Sequence, residues 1–329
     1  MQRLGASGDE VSVLGYGAWV TGADTSSGSI DPGEFVRAIR AALDSGMTWI
    51  DTAELYAAGL SEELVGRAIR RRRDDVFIAT KVAQAGAGSG MRPSEIRRAI
   101  AGSLRRLGTE HVDLYQLHWH DPSVPLEDTW SAMRALVDEG LTRFIGLSNF
   151  RSDLIERCLG VARVDAVQNQ FSLLHREDRA ELLGWLGERG IGYLGYGPLA
   201  FGLLSGGVSE ETRFADSDWR SGRPAPFERN YFEELFAPGR LEPNLAFVRD
   251  LARLAAGLEL PVAVLALGWA LEQPGVTALV VGSLNPDHIR TNALAGSVKL
   301  DTSTLARIDQ LLVRNFAPEA AGGRSPRRG

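Results

Sequence analysis

Apolar residues follow two alternating rhythms along this chain. Short β-rich apolar runs fall at Val13 to Gly17, Trp49 to Ala53, Val76 to Lys81, Val112 to His118, Arg143 to Ser148, Ala166 to Gln170, Ile191 to Gly197 and Thr277 to Gly282, giving eight strand candidates. Between them lie amphipathic stretches such as Pro93 to Leu107, where Ile96, Ile100, Leu104 and Leu107 recur at helical spacing and mark one buried face. The clearest helix start is Asp31-Pro32-Gly33-Glu34, with a capping side chain, proline at the first helical position and glutamate three residues after the cap. Phe35, Ala38, Ile39, Ala42 and Leu43 then supply its apolar face.

Alternating strands and helices imply an α/β fold with a parallel sheet, and eight such units are enough to close into a (β/α)8 TIM barrel. A doubly wound open sheet is the competing arrangement. The barrel is favoured because no linker or change of composition divides the chain, so residues 1–316 are expected to form one barrel domain. A small β-hairpin is expected before the first strand, and a long loop, Ala200 to Pro243, after the seventh. That loop is rich in glycine, proline and aromatics, among them Phe214, Trp219, Phe227, Tyr231 and Phe232, and a connection of such length in a compact domain usually serves function. The basic, proline-containing stretch 317–329 is expected to be disordered.

Composition narrows the partners. With 36 basic against 42 acidic residues, a nucleic-acid or anionic-membrane binder needs a local basic patch, and the only dense run, Arg70 to Arg73, is followed at once by Asp74 and Asp75. It reads as a solvated helix end, so neither nucleic acid nor a membrane is an expected partner. The single cysteine, Cys158, excludes an intramolecular disulfide framework and a cysteine-rich zinc site. Acidic residues occupy the place of a signal peptide's apolar core, and Val262 to Leu271 has about half of the roughly 20 apolar residues of a membrane helix. A cytoplasmic protein is expected.

A barrel carries its chemistry at the C-terminal ends of its strands, and there the polar residues collect. Asp51 closes the second strand, with Tyr56 in the loop beyond; Lys81 closes the third, His118 the fourth and Ser148-Asn149 the fifth. Gln168 and Gln170 lie on the sixth, Tyr196 ends the seventh and Gly282-Ser283 the eighth. A solvated strand end explains any one of these, but hardly seven on one rim. Asp51, Tyr56, Lys81 and His118 form a proton-donating set. A phenol of pKa about 10 is a poor acid at neutral pH, and a neighbouring ammonium lowers that value by stabilising the phenolate. Lys81 supplies the charge, Asp51 keeps it protonated and in place, and His118 hydrogen-bonds a substrate oxygen. A purely structural Asp51–Lys81 ion pair is the plainer alternative.

Longer stretches then match a known family. Gly15-Tyr16-Gly17-Ala18-Trp19, Asp51-Thr52-Ala53-Glu54-Leu55-Tyr56, Ala79-Thr80-Lys81, Leu117-His118-Trp119-His120, Gly146-Leu147-Ser148-Asn149-Phe150, Gln168-Asn169-Gln170 and Tyr196-Gly197-Pro198-Leu199 make the chain resemble the aldo-keto reductase superfamily over about residues 1–315. Asp51 to Gly59 and Ser205-Gly206 look closest to the branch of bacterial sugar and inositol reductases and potassium-channel beta subunits, which often replaces the histidine kept here at 118. The resemblance implies reversible, NADPH-dependent reduction of an aldehyde or ketone to an alcohol. Its catalytic tetrad falls on Asp51, Tyr56, Lys81 and His118, with Tyr56 as general acid. It implies that Ser148, Asn149 and Gln168 contact the cofactor's carboxamide and that the Tyr196 ring stacks on its nicotinamide. Further contacts fall on Ala18, Trp19, Asp51, Gly197, Pro198 and Leu199, and on Gly282, Ser283, His288 and Asn292 at the phosphate end. Gly282-Ser283-Leu284-Asn285-Pro286 also reads, on its own residues, as a turn into a capped helix whose N-terminus attracts anions. Many family members place a lysine and an arginine there for the 2′-phosphate, where this chain has Gly282 and His288. NADP(H) is therefore the expected cofactor with NAD(H) not excluded, and Arg290 or Arg213 the candidate substitute cation. Trp19, Tyr56 and Trp119 are expected to line a pocket for a small carbonyl or alcohol substrate.

Three rival readings remain. His118-Trp119-His120-Asp121 resembles half of a metal site, as in metal-dependent TIM-barrel hydrolases, but such sites need histidines on later strands, and His111, His175 and His288 end none. Gly86 to Gly90 mimics a dinucleotide fingerprint, yet it follows the third strand and leads to Pro93 rather than directly into a helix. A cofactor-binding regulatory or scaffold protein of the channel-subunit kind is the third, and the complete tetrad stands against it.

Overall fold

The chain enters through a two-stranded antiparallel ribbon, β1 (Gln2–Arg3) and β2 (Glu10–Val11), the hairpin expected from the sequence. The computed structural model describes residues 1–6, 8–19, 31–83, 88–214, 218–221, 234–237 and 239–316. The stretch 317–329, the glycine-run residues Gly86 and Ala87, and the loop aromatics Phe227, Tyr231 and Phe232 lie outside them.

The eight apolar runs become parallel strands: β3 (Leu14–Gly17), β4 (Trp49–Asp51), β5 (Phe77–Val82), β6 (Val112–Leu117), β7 (Thr142–Ser148), β8 (Ala166–Gln170), β9 (Gly192–Tyr196) and β10 (Ala278–Val281). Each pairs with its neighbour and β10 pairs with β3, so the sheet closes and the doubly wound alternative is excluded. Around it stand α1 (Pro32–Asp44), α2 (Leu60–Ile69), α3 (Pro93–Leu107), α4 (Leu126–Asp138), α5 (Ser152–Leu159), α6 (Glu177–Glu181) and α7 (Leu183–Glu188). The circuit ends with α8 (Leu241–Gly257), α9 (Val262–Leu271), α10 (Pro286–Ala293) and α11 (Thr302–Asn315). Asp31 caps α1 by accepting from the Gly33 N–H at 2.7 Å. Helix α9 is apolar on every side because it is covered on every side, with Ala263 through Ala270 all buried. No single helix among the described residues is long and apolar enough to cross a membrane; α8 and α9 reach that length only together, bent by 93°.

Alternate side chains of each barrel strand point inward. Trp49, Ala79, Leu114, Phe144, Ala166, Leu194, Ala278 and Val280 fill the lower barrel, and Leu4 and Val11 of the ribbon join them from below. Gly15 carries no side chain because the Trp49 ring occupies that space: a Cβ there would stand 2.1 Å from it. The ribbon is sutured on by the Ala6 N–H to the Gly190 carbonyl at 2.7 Å and by Trp49 Nε1 to the Ser12 carbonyl at 2.9 Å. With the lower half apolar, the inward positions left for polar groups are those at the mouth.

Three expectations need correction. The apolar runs Trp49 to Ala53 and Val112 to His118 form strand only as far as Asp51 and Leu117, so Thr52, Ala53 and His118 begin the loops. The long loop ends at Arg240, because α8 starts at Leu241. Arg73 is not a solvated helix end: its guanidinium donates to Thr109 Oγ1, to the carbonyls of Val76 and His111, and to Asp113 at 3.0 Å. A planar fork of five N–H donors suits such a junction.

Candidate active site

Register builds the centre of the site. Asp51 pairs with Ala79, and Lys81 lies two residues further along β5, so both side chains face into the barrel mouth. Lys81 Nζ donates to Asp51 Oδ1 at 2.5 Å, to the Thr52 carbonyl at 3.0 Å and to Tyr56 Oη at 3.4 Å. The Lys81 residue is fully buried. Burial lowers its pKa from the usual lysine value, while the Asp51 charge and hydrogen bond pull it back up. Asp51 is held from two further strands: its Oδ2 accepts from Gln168 Nε2 at 2.7 Å and from Gln116 Nε2 at 3.4 Å.

Tyr56 comes from a turn whose shape the sequence does not announce. Ala57 and Ala58 both adopt the left-handed region, at φ 49° and 53°, before Gly59 at φ 92°. That conformation is strained for alanine, and it swings the Tyr56 ring back over Lys81, 5.2 Å from Nζ to the ring centroid. His118 follows β6 directly and is buried. Its ring meets Tyr56 edge-on at 5.8 Å and stacks on Trp119 at 3.8 Å with an interplanar angle of 1°. Burial, and then the Lys81 charge, push its pKa well below 6.5, so the imidazole is neutral at pH 7.

At the end of the adjacent strand β7, Asn149, at φ 65°, donates through Nδ2 to the His118 carbonyl at 3.0 Å and to Ser148 Oγ at 3.1 Å. Its Oδ1 accepts from Tyr196 Oη at 2.8 Å. Ser148, Asn149 and Tyr196 are thus tied together beside the tetrad, while Gln168 reaches Asp51 itself. Gln170 pairs in register with Tyr196 and is buried with neither amide atom hydrogen-bonded. Ala18 and Pro198 are buried, and Gly197 and Leu199 half-buried, at the neighbouring strand ends. Trp19 meets Phe201 edge-on at 5.8 Å.

At the far end, Tyr16 Oη donates to the Ser283 carbonyl at 3.1 Å, and a Cβ on Gly282 would stand 2.4 Å from the Gly17 carbonyl oxygen. Asn285 caps α10, accepting from the Asp287 N–H at 2.9 Å. His288 is exposed on α10 and Asn292 buried. Of the two substitute cations, Arg290 forms an exposed pair with Asp287 of the same helix at 2.6 Å, and Arg213 donates to the carbonyls of Glu210 and Thr212. His120 lies edge-on to Phe150 at 6.2 Å, and no three His, Cys, Asp or Glu groups among the described residues converge as metal ligands do.

Sequence reasoning missed two residues here. Phe201 was one aromatic in a long loop, and Glu54 was one acid in a strand-end segment. Neither carried a spacing that distinguished it.

The Aldo/keto reductase family model matches residues 13–313. Aldo-keto reductase YhdN of Bacillus subtilis (strain 168) is 36% identical over 289 residues, covering 86% of this chain and 84% of the relative. A probable voltage-gated potassium channel subunit beta of Oryza sativa subsp. japonica is 31% identical over 307 residues, covering 89% and 90%. A crystal structure of an aldo-keto reductase from Klebsiella pneumoniae in complex with NADPH is similar with a TM-score of 0.73 at 29% identity, over 94% of each chain. The family match spans the whole barrel, from the first inward strand to the last helix, and the chain belongs to the aldo/keto reductase family, the NAD(P)H-dependent oxidoreductases of carbonyl groups.

Proposed function

We propose that this protein reversibly reduces an aldehyde or ketone to the alcohol with NADPH, and that Tyr56 is the general acid. The observation that carries this reading is the Tyr56 hydroxyl 3.4 Å from a buried lysine that Asp51 holds at 2.5 Å. The Tyr56 proton passes to the carbonyl oxygen of the substrate. The Lys81 ammonium stabilises the phenolate left behind, and Asp51 keeps that ammonium charged against the cost of burial. Neutral His118 has one ring N–H to donate to the same oxygen. Trp19, Tyr56 and Trp119, with Phe201, are the substrate-pocket walls, and an apolar substituent suits them.

The residues fit a nicotinamide cofactor. Tyr196 offers a flat ring face, and Ser148, Asn149 and Gln168 bear hydroxyl and amide groups that match a carboxamide. Ala18, Trp19, Asp51, Gly197, Pro198 and Leu199 complete that end; Gly282, Ser283, His288 and Asn292, with the α10 N-terminus, suit the phosphates. When bound, the cofactor supplies the hydride. The first turn of α10 carries Asp287 and no lysine, so NAD(H) is expected to bind as well. One buried cysteine without a disulfide fits a reducing, cytoplasmic setting.

Titration with NADPH and NADH, followed by nicotinamide fluorescence, tests the first step; no binding of either at submillimolar concentration ends the reading. Tyr56→Phe is expected to lose about 100- to 10,000-fold in carbonyl reduction while binding NADPH as before. Unchanged turnover removes Tyr56 from the chemistry. A regulatory role, favoured by the potassium-channel relative, predicts instead binding without turnover.

A further inference from the structure

We propose that Glu54 is a positioning residue that sets the distance between Tyr56 and Lys81, by stapling the turn that bears the tyrosine to the strand end that bears the lysine. This rests on the reading of Tyr56 as the acid. Glu54 lies between Asp51 and Tyr56 and is only 8% exposed. Its Oε1 accepts from the backbone N–H groups of Ala83 at 3.0 Å and Ser89 at 2.9 Å, and its Oε2 from Ser89 Oγ at 2.6 Å. Its own N–H donates to the carbonyl of Lys81 at 3.3 Å. One residue thus grips the lysine's strand at Lys81 itself and again two residues beyond.

Packing alone does not explain a carboxylate in this place. An acceptor-only group is costly to bury, and an apolar side chain of similar size fills space without that cost. Here three donors converge on it, and no arginine or lysine among the described residues forms an ion pair with it. What the carboxylate adds is direction. The left-handed pair Ala57 and Ala58 is held against its own preference, so the turn needs a fixed anchor on the side where Tyr56 leaves it. Position 88 is shaped for that anchor: a Cβ on Gly88 would stand 2.5 Å from Glu54 Oε1 and 2.7 Å from Ala83 Cβ.

Three variants test this. Glu54→Ala is expected to lower kcat about 10- to 100-fold, the scale of a small misplacement of a reacting group, with the NADPH Kd unchanged. Proton transfer then becomes slow, so the solvent isotope effect on kcat rises. Glu54→Gln keeps one accepting oxygen for Ala83 and Ser89, and is expected to recover most of the rate. Gly88→Ala displaces the carboxylate without removing it, and is expected to move the same quantities if Glu54→Ala does not fold. The Tyr56 ring is also followed without turnover, by the 13Cζ tyrosine resonance that disappears in Tyr56→Phe. It is expected to shift or broaden in Glu54→Ala and Gly88→Ala and to return in Glu54→Gln. A Tyr56 resonance and kcat that match the wild type in both disrupting variants overturn the proposal. A resonance that moves as expected in a protein that reduces no carbonyl supports the staple and removes the acid.

Discussion

His118 is buried beside a buried ammonium, and its imidazole therefore stays neutral well below pH 6.5. In the unfolded chain the same ring titrates near 6.5. Below that value the unfolded state takes up a proton that the folded state refuses, so the stability present above pH 6.5 is lost as the pH falls, until the folded ring itself protonates. One such proton is worth about 1.4 kcal/mol per pH unit. Urea unfolding at pH 7 and pH 5 is expected to show a larger drop in the wild type than in His118→Gln; equal drops place the acid sensitivity on other groups. At this scale the sequence was legible where a polar residue closed an apolar run, as Asp51, Lys81 and His118 do. Glu54 was not, because an acid between a strand end and a turn reads as solvated. Only the fold brings Ala83 and Ser89 to it, across 29 and 35 residues of chain.

The strands were legible as elements because burial on both faces leaves short, largely apolar runs, and parallel barrels require such burial. Their ends were less so: Thr52 and Ala53 are as buried as the strand they follow, and composition does not mark where pairing stops. The turn at Ala57 and Ala58 was hidden for a different reason, since alanine, unlike glycine or asparagine, gives no sign of a positive φ. Glycine, by contrast, has two meanings that only packing separates. Gly15→Ala drives a methyl into the Trp49 ring from 2.1 Å, between adjacent strands that cannot part. It is expected to cost about 1–3 kcal/mol or more. Gly184→Ala, at an exposed position of α7, meets nothing within 4 Å, and is expected to gain about 0.5–1 kcal/mol from helix propensity. Thermal melts of the two variants check both signs, and a Gly15→Ala protein as stable as the wild type contradicts the strand spacing.

At the scale of the molecule, closure of the sheet was the least legible property, because periodicity reports which faces are buried and not which strands meet at the ends. The ribbon β1–β2 was expected, but its use was not: Leu4 and Val11 complete the apolar cluster that fills the lower barrel, at the end away from the mouth. The barrel is thereby divided along its axis. Below, apolar residues and the ribbon fill the barrel; above, charged and amide groups are held to one another by hydrogen bonds across four strands. Leu4 is 1% exposed, so Leu4→Ala is expected to cost about 2–5 kcal/mol. Asp51, Lys81 and Tyr56 are held by bonds among β4, β5, β6 and β8 that do not pass through the ribbon. At a temperature where the variant is still folded, its NADPH affinity and kcat are expected to equal those of the wild type. A loss of stability with unchanged kinetics supports the two-level barrel; a kcat that falls in step with stability means that the mouth feels the plug, and that the lower core transmits strain to the tetrad.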